Sequence, residues 1–137
     1  MPEKKTIERA RRDAREGKAS TTQAGEFVRE EMEHVREGKH GARNTRQAIA
    51  IGLSKARRAG VKLPAPGRGT SRRTRRKAAQ DTRAATRGGV RRRTSTRRSR
   101  ATTKALRREG HRAASKRALS RQAKSTARRR RRPARSR

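Results

Sequence analysis

Ser20-Thr21-Thr22-Gln23-Ala24-Gly25-Glu26-Phe27-Val28-Arg29-Glu30-Glu31-Met32-Glu33-His34-Val35-Arg36-Glu37-Gly38 contains the chain's single aromatic residue and its clearest amphipathic pattern. At about 100° per residue, Ala24, Phe27, Val28, Met32 and Val35 share one face, while Glu26, Glu30, Glu33 and Glu37 share the opposite one. Ser20 followed by Gln23 has the form of a capping box, and Gly38 suits a left-handed stop. The spacing predicts a helix over 21–37 with an acidic, solvated back.

Downstream the pattern repeats. Asn44 with Gln47 forms a second capping pair, Gly60 is the matching stop, and Ala48, Ile49, Leu53 and Ala56 make an apolar stripe. A helix over 45–59 follows, with Arg46, Lys55, Arg57 and Arg58 on its solvent side. A linker of about 7 residues suits antiparallel helices, so the two stripes predict a helical hairpin. Upstream, Thr6 to Glu16 reads as a weaker helix stopped by Gly17, with little apolar area in Ile7, Ala10 and Ala14. Arg15-Glu16-Gly17-Lys18, Arg36-Glu37-Gly38-Lys39 and Arg108-Glu109-Gly110-His111 echo one another, as recurrent helix stops do.

Leu63-Pro64-Ala65-Pro66-Gly67-Arg68-Gly69 ends this region, because proline and glycine together oppose helix. The expected organisation is an α-helical domain over 1–63, a hinge over 64–70 and an Arg-rich, low-complexity tail over 71–137. Residues 1–63 hold 16 basic and 9 acidic side chains; residues 64–137 hold 29 and 2, a net +27. Beyond Pro64 the only apolar side chains larger than alanine and proline are Val90, Leu106 and Leu119. Low hydrophobicity with high net charge leaves little burial to offset chain entropy. The fold class expected is therefore mostly disordered, with a small all-α N-terminal region. Residues 74–87 and 101–128 have helix-compatible composition and are expected to become helical when phosphate neutralises them. A core of about 40 residues is at the lower limit of independence, so self-association through the hairpin or folding on a partner is expected.

The whole chain carries 45 Lys and Arg against 11 Asp and Glu, a formal net charge of +34. Each cation that meets a phosphate releases a condensed counterion, which makes nucleic acid the expected partner. Arginine outnumbers lysine 35 to 10, and its planar fork bridges phosphate oxygens. Because the acidic face of the first hairpin helix would repel phosphate, Arg43, Arg46, Arg57 and Arg58 are the hairpin's expected contacts. The tail adds Arg72, Arg73, Arg75 and Arg76, then Arg91, Arg92, Arg93, Arg97 and Arg98, and finally Arg128, Arg129, Arg130, Arg131 and Arg132. Without aromatic platforms for stacked bases, duplex DNA is favoured over RNA. The function expected is sequence-non-specific DNA binding and compaction at the nucleoid, in the cytoplasm. The alternatives are an RNA-binding or ribosome-associated basic protein, and an interaction module docking through Phe27, Val28, Ile49 and Ile51 with a basic tether.

Other chemistries lack residues. There is no cysteine, no Gly-rich phosphate loop and no nucleophile–base grouping, so no enzyme, cofactor or small-molecule substrate is expected. His34 and His40 lie six apart, unlike the usual zinc spacings, and are expected to be surface or edge residues without metal. No stretch approaches the roughly 20 apolar residues of a membrane span, so no membrane partner is expected.

In composition the tail resembles protamines in its Arg runs and histone-H1-like bacterial proteins in its Ala-rich stretches. Gly25-Glu26-Phe27-Val28-Arg29-Glu30-Glu31-Met32-Glu33-His34, Arg36-Glu37-Gly38-Lys39-His40-Gly41 and Gln47-Ala48-Ile49-Ala50-Ile51-Gly52-Leu53-Ser54-Lys55-Ala56-Arg57-Arg58-Ala59-Gly60 resemble a small bacterial domain family of unassigned function. That likeness covers about residues 15–64 and implies a helical domain paired with a basic tail, but no activity.

Overall fold

The structure is a computed structural model that describes residues 2–86 and 95–131. Among these residues there are six α-helices: α1 Lys4–Arg15, α2 Ser20–Arg36, α3 Thr45–Arg58, α4 Arg72–Thr86, α5 Thr96–Arg108 and α6 Lys116–Arg131. A single 3₁₀ turn, Arg112–Ala114, precedes α6.

The three N-terminal helices end by one device. Gly17, Gly38 and Gly60 adopt φ of +72°, +76° and +99°. Each is followed by a residue whose N–H reaches back to the fifth carbonyl before it: Lys18 to Asp13, Lys39 to His34, and Val61 to Ala56. These are Schellman caps, and they reverse the chain while satisfying the last carbonyls of each helix. Gly110, the third member of the sequence echo, ends no such cap; α5 gives way to extended backbone at Glu109. At the helix starts, Asn44 Oδ1 accepts from Gln47 N–H at 2.8 Å, as the capping pair requires. Ser20 forms no cap: it is already helical, Ala19 precedes it, and Gln23 Nε2 donates instead to the Lys18 carbonyl at 3.0 Å.

α2 and α3 form the expected antiparallel hairpin, with an apolar cluster at each end. At one end Phe27 and Ala24 of α2 meet Ala56 of α3, Ala10 of α1 and Val61, with Ile7, Leu53 and Leu63 packed around them. At the other, Met32 and Val35 meet Ala42, Ala48, Ala113 and Ala114, with Val28, Ile49 and Leu119 alongside. Between the clusters the helices cross at Gly52, where an added Cβ would lie 2.7 Å from the Val28 Cα. Phe27 is 1% exposed, which removes it from the docking surface expected with Val28, Ile49 and Ile51.

The expectation of a mostly disordered chain is overturned. α4 packs on α3, the 3₁₀ turn packs on α2 and α3, and α6 closes over the turn. Three physical features supply what large apolar residues do not. Alanines 78, 113 and 114 bury almost completely and let helices approach closely. Backbone and hydroxyl hydrogen bonds seal the contact: Gly41 N–H donates to the Leu106 carbonyl at 2.8 Å, Ala42 N–H to the Gly110 carbonyl at 3.0 Å, and Thr45 Oγ1 to the Ala113 carbonyl at 2.7 Å. A Cβ at Gly41 would overlap the Glu109 carbonyl. The third feature is charge. Asp81, 2% exposed, accepts from Ser54 Oγ at 2.6 Å, Arg58 Nε at 2.7 Å and Lys77 Nζ at 3.0 Å, joining α4 to α3. The expected helical segments 74–87 and 101–128 correspond to α4, the end of α5 and α6, interrupted at 109–115.

Burial pushes the Asp81 carboxyl up, and its three donors outweigh that effect to hold it below the usual aspartate value. A carboxyl depressed on folding contributes stability above its unfolded pKa and loses it as pH falls through the folded value. The α3–α4 contact is therefore intact at neutral pH and weakens below about pH 4. Asp81→Asn should cost about 1–3 kcal/mol at pH 7 and flatten the acid limb of the stability profile, read by denaturant melts between pH 2 and 7. Two glycine substitutions test the hairpin. Gly52→Ala should destabilise by about 1–3 kcal/mol, since the Val28 backbone cannot yield. Gly25→Ala, in α2 with nothing within 4 Å of the new Cβ, should stabilise by about 0.5–1 kcal/mol. Parallel thermal melts check both signs.

Candidate nucleic-acid interface

Arg43 and Arg46 flank the start of α3 and are exposed. Gln47 Oε1 accepts from Arg43 N–H at 2.6 Å, which closes the turn and fixes the backbone from which both guanidiniums project. The other end of α3 differs from expectation. Lys55 pairs with Glu31, Arg58 with Asp81, and Arg57 Nη2 donates to the Pro64 carbonyl at 3.3 Å. Of the four arginines expected to face phosphate from the hairpin, two are thus engaged within the protein.

Arg72, Arg73, Arg75 and Arg76 occupy the first turns of α4, all exposed. Ser71 Oγ accepts from Thr74 N–H at 3.2 Å and starts this helix. Four cations at the positive end of a helix dipole are mutually and locally unfavourable, so an anion there relieves both strains. Arg97 and Arg98 are exposed on α5, which buries no residue. Arg128, Arg129, Arg130 and Arg131 are exposed in the last turn of α6, the favourable end of the dipole. Arg91, Arg92, Arg93 and Arg132 lie outside the described residues. Among the described residues, the arginines that have a carboxylate partner are Arg9, Arg12, Arg29 and Arg58.

The acidic residues are placed in the opposite sense. Asp13, Glu30, Glu31 and Asp81 are 3%, 3%, 0% and 2% exposed. The acidic face of α2 is therefore not simply a solvated back: α1 covers Glu30, whose Oε1 accepts from Glu3 N–H at 2.7 Å. Glu31, at the edge of the apolar stripe, is fully enclosed against Lys55. Four of the 11 carboxylates are turned inward, and the surface is correspondingly more basic than the composition alone implies.

His34 and His40 are not isolated surface residues. Their side chains are 13% and 14% exposed, and their ring centroids lie 6.1 Å apart with edge-to-face rings. The Schellman turn at Gly38 brings His40 back beside the last turns of α2. His34 Nε2 lies 3.1 Å from Glu3 Oε1; this contact and the hydrogen bond from Lys39 hold the Glu3 carboxyl below its ordinary value. Glu31, His34 and His40 offer ligand atoms within 4.8 Å of one another, as do Glu3, Glu30 and His34. Arg36 also had no sequence signature: its Nε donates to the Ala114 carbonyl at 2.9 Å, across 78 residues of chain.

No helix among the described residues is long and apolar enough to cross a membrane. No curated protein and no solved structure matches the chain. Residues 3–66 match the model of a family of unknown function (DUF6496). The match begins before α1, earlier than the resemblance read from residues 15–64, and ends within the Pro/Gly segment after α3. The matched stretch therefore spans helices α1 to α3.

Proposed function

We propose that the protein binds nucleic acid without sequence choice, through phosphate contacts, and compacts duplex DNA at the nucleoid. The carrying observation is the separation of charge: exposed, carboxylate-free arginines on α4, α5, α6 and the start of α3, with four carboxylates withdrawn into the interior. Arginine clusters at Arg43–Arg46, Arg72–Arg76 and Arg128–Arg131 belong to different helices, an arrangement suited to holding more than one phosphate backbone. The role is binding rather than catalysis. Contact with phosphate supplies affinity and position but little sequence information. Duplex is favoured because the one aromatic ring, Phe27, is buried and leaves no stacking platform for bases.

With 6–10 phosphate contacts, affinity for a duplex should fall about 10³- to 10⁵-fold between 50 and 200 mM salt. Fluorescence anisotropy with nuclease-treated protein and duplexes of unrelated sequence measures it. Replacing Arg128, Arg129, Arg130 and Arg131 with alanine should lower the log–log salt slope by up to about 4 while retaining helix content. A strong preference for one duplex sequence, or a salt-insensitive affinity, would overturn the reading. Competition with structured RNA distinguishes the two polyanions, and displacement of duplex by less than an equimolar amount of RNA would reassign the partner.

A further inference from the structure

The Glu31–His34–His40 cluster includes none of the exposed arginines, and its geometry is unusual for a mere charge pair. His40 Nδ1 lies 2.9 Å from the Gly41 carbonyl, an acceptor, so Nδ1 carries the hydrogen. In the neutral ring, Nε2 then carries the lone pair, and it faces Glu31 Oε2 at 3.1 Å. That oxygen is buried and has no hydrogen-bond partner among the described residues. With that ring neutral, two acceptor atoms point at each other in a nearly closed site. His34 repeats the arrangement. Its Nε2 donates to the Glu3 carboxylate at 3.1 Å, which leaves Nδ1 as the lone-pair nitrogen, 3.8 Å from Glu31 Oε1.

We propose that Glu31, His34 and His40 bind a divalent first-row transition-metal ion, with zinc the best match. Each of the three residues offers a ligand atom, and these atoms lie within 4.8 Å of one another; His34 Nδ1 approaches one Glu31 oxygen at 3.8 Å and His40 Nε2 the other at 3.1 Å. Two imidazoles and a carboxylate form a donor set that zinc accepts, with water completing a tetrahedron. Each histidine already has its outer nitrogen held, His34 by the Glu3 carboxylate and His40 by the Gly41 carbonyl. Such partners fix tautomer and ring orientation in metal sites. The spacing of six residues works because the Gly38 turn, not helical periodicity, carries His40 back to α2. Lys55 reaches Glu31 through Oε1, while Oε2 faces His40; its ammonium is the resident cation against which the metal competes. Occupation clamps the end of α2 to the loop before α3, next to the backbone of Gly41 and Ala42 that carries the contact with residues 106–110.

The test is isothermal titration of the untagged, chelator-treated full chain with zinc chloride, free of nucleic acid. One equivalent should bind, and the thermal midpoint should rise with zinc. His34→Ala and His40→Ala should each weaken binding by about 10-fold or more, whereas His111→Ala should leave it unchanged. Lys55→Met should tighten binding, a direction that damage to the fold would not produce. Cobalt substitution gives an independent readout: visible bands of a four-coordinate nitrogen–oxygen site, lost in His40→Ala while the far-ultraviolet helix signal persists. Absence of a stoichiometric site in the parent chain would overturn the assignment. So would binding that survives His40→Ala, which would move the ion to the Glu3, Glu30 and His34 group.

Discussion

Self-repulsion is the constraint that every other feature of this structure accommodates. A chain with a formal charge of +34 becomes more compact only by bringing like charges nearer. The fold answers by spending its few carboxylates where helices meet. Asp81 collects a hydroxyl and two cations between α3 and α4; Glu31 takes Lys55 between α2 and α3; Asp13 takes Lys18 where α1 turns towards α2. Burying an ion is expensive, and the cost is offset only where its partners satisfy it well. Asp81 meets that condition with three donors, while Glu30 and Glu31 each keep one buried oxygen without a hydrogen bond. The interior is therefore well compensated at the α3–α4 contact and under-compensated beside the histidines.

The same expenditure shapes the outside. Asp13, Glu31 and Asp81, drawn inward, each neutralise cations near the core and are lost to the periphery. Lys55 and Arg58 are consumed in this way, and Arg36 and Arg57 are used to hold carbonyls. The arginines on α4, α5 and the end of α6 have no such duty. A neutralising polyanion would let these helices approach further.

The local punctuation of the hairpin was legible. Amphipathic spacing located α2 and α3 to within a residue at each end, and Gly17, Gly38 and Gly60 marked three caps that need positive φ. Two kinds of information were not local. A helical wheel for α2 assigns Glu30 to the solvent side when only α3 is considered, yet α1 covers that side; burial depends on how many neighbours a helix has. Gly25 and Gly52 likewise look alike in sequence, and only the crossing with Val28 separates a replaceable glycine from a required one. The C-terminal half was misjudged for a related reason. Counting large apolar side chains measures one route to burial and omits alanine surfaces, such as Ala113 and Ala114, that bury by permitting close backbone approach.

The histidine cluster follows from both the charge economy and the turn chemistry. Because α1 and α3 enclose the end of α2, Glu31 cannot reach bulk water, and a nearby cation or donor must satisfy its second oxygen. Lys55 is already committed to the first. His40 stands where such a donor would be needed, yet the Gly41 carbonyl commits its Nδ1 hydrogen and leaves the lone pair of the neutral ring facing inward. In a protein with so many spare cations, a buried carboxylate facing two imidazoles is a specific arrangement. An arginine or lysine at either histidine position would have compensated the charge more simply, and what histidine adds is the ability to share an ion with the carboxylate.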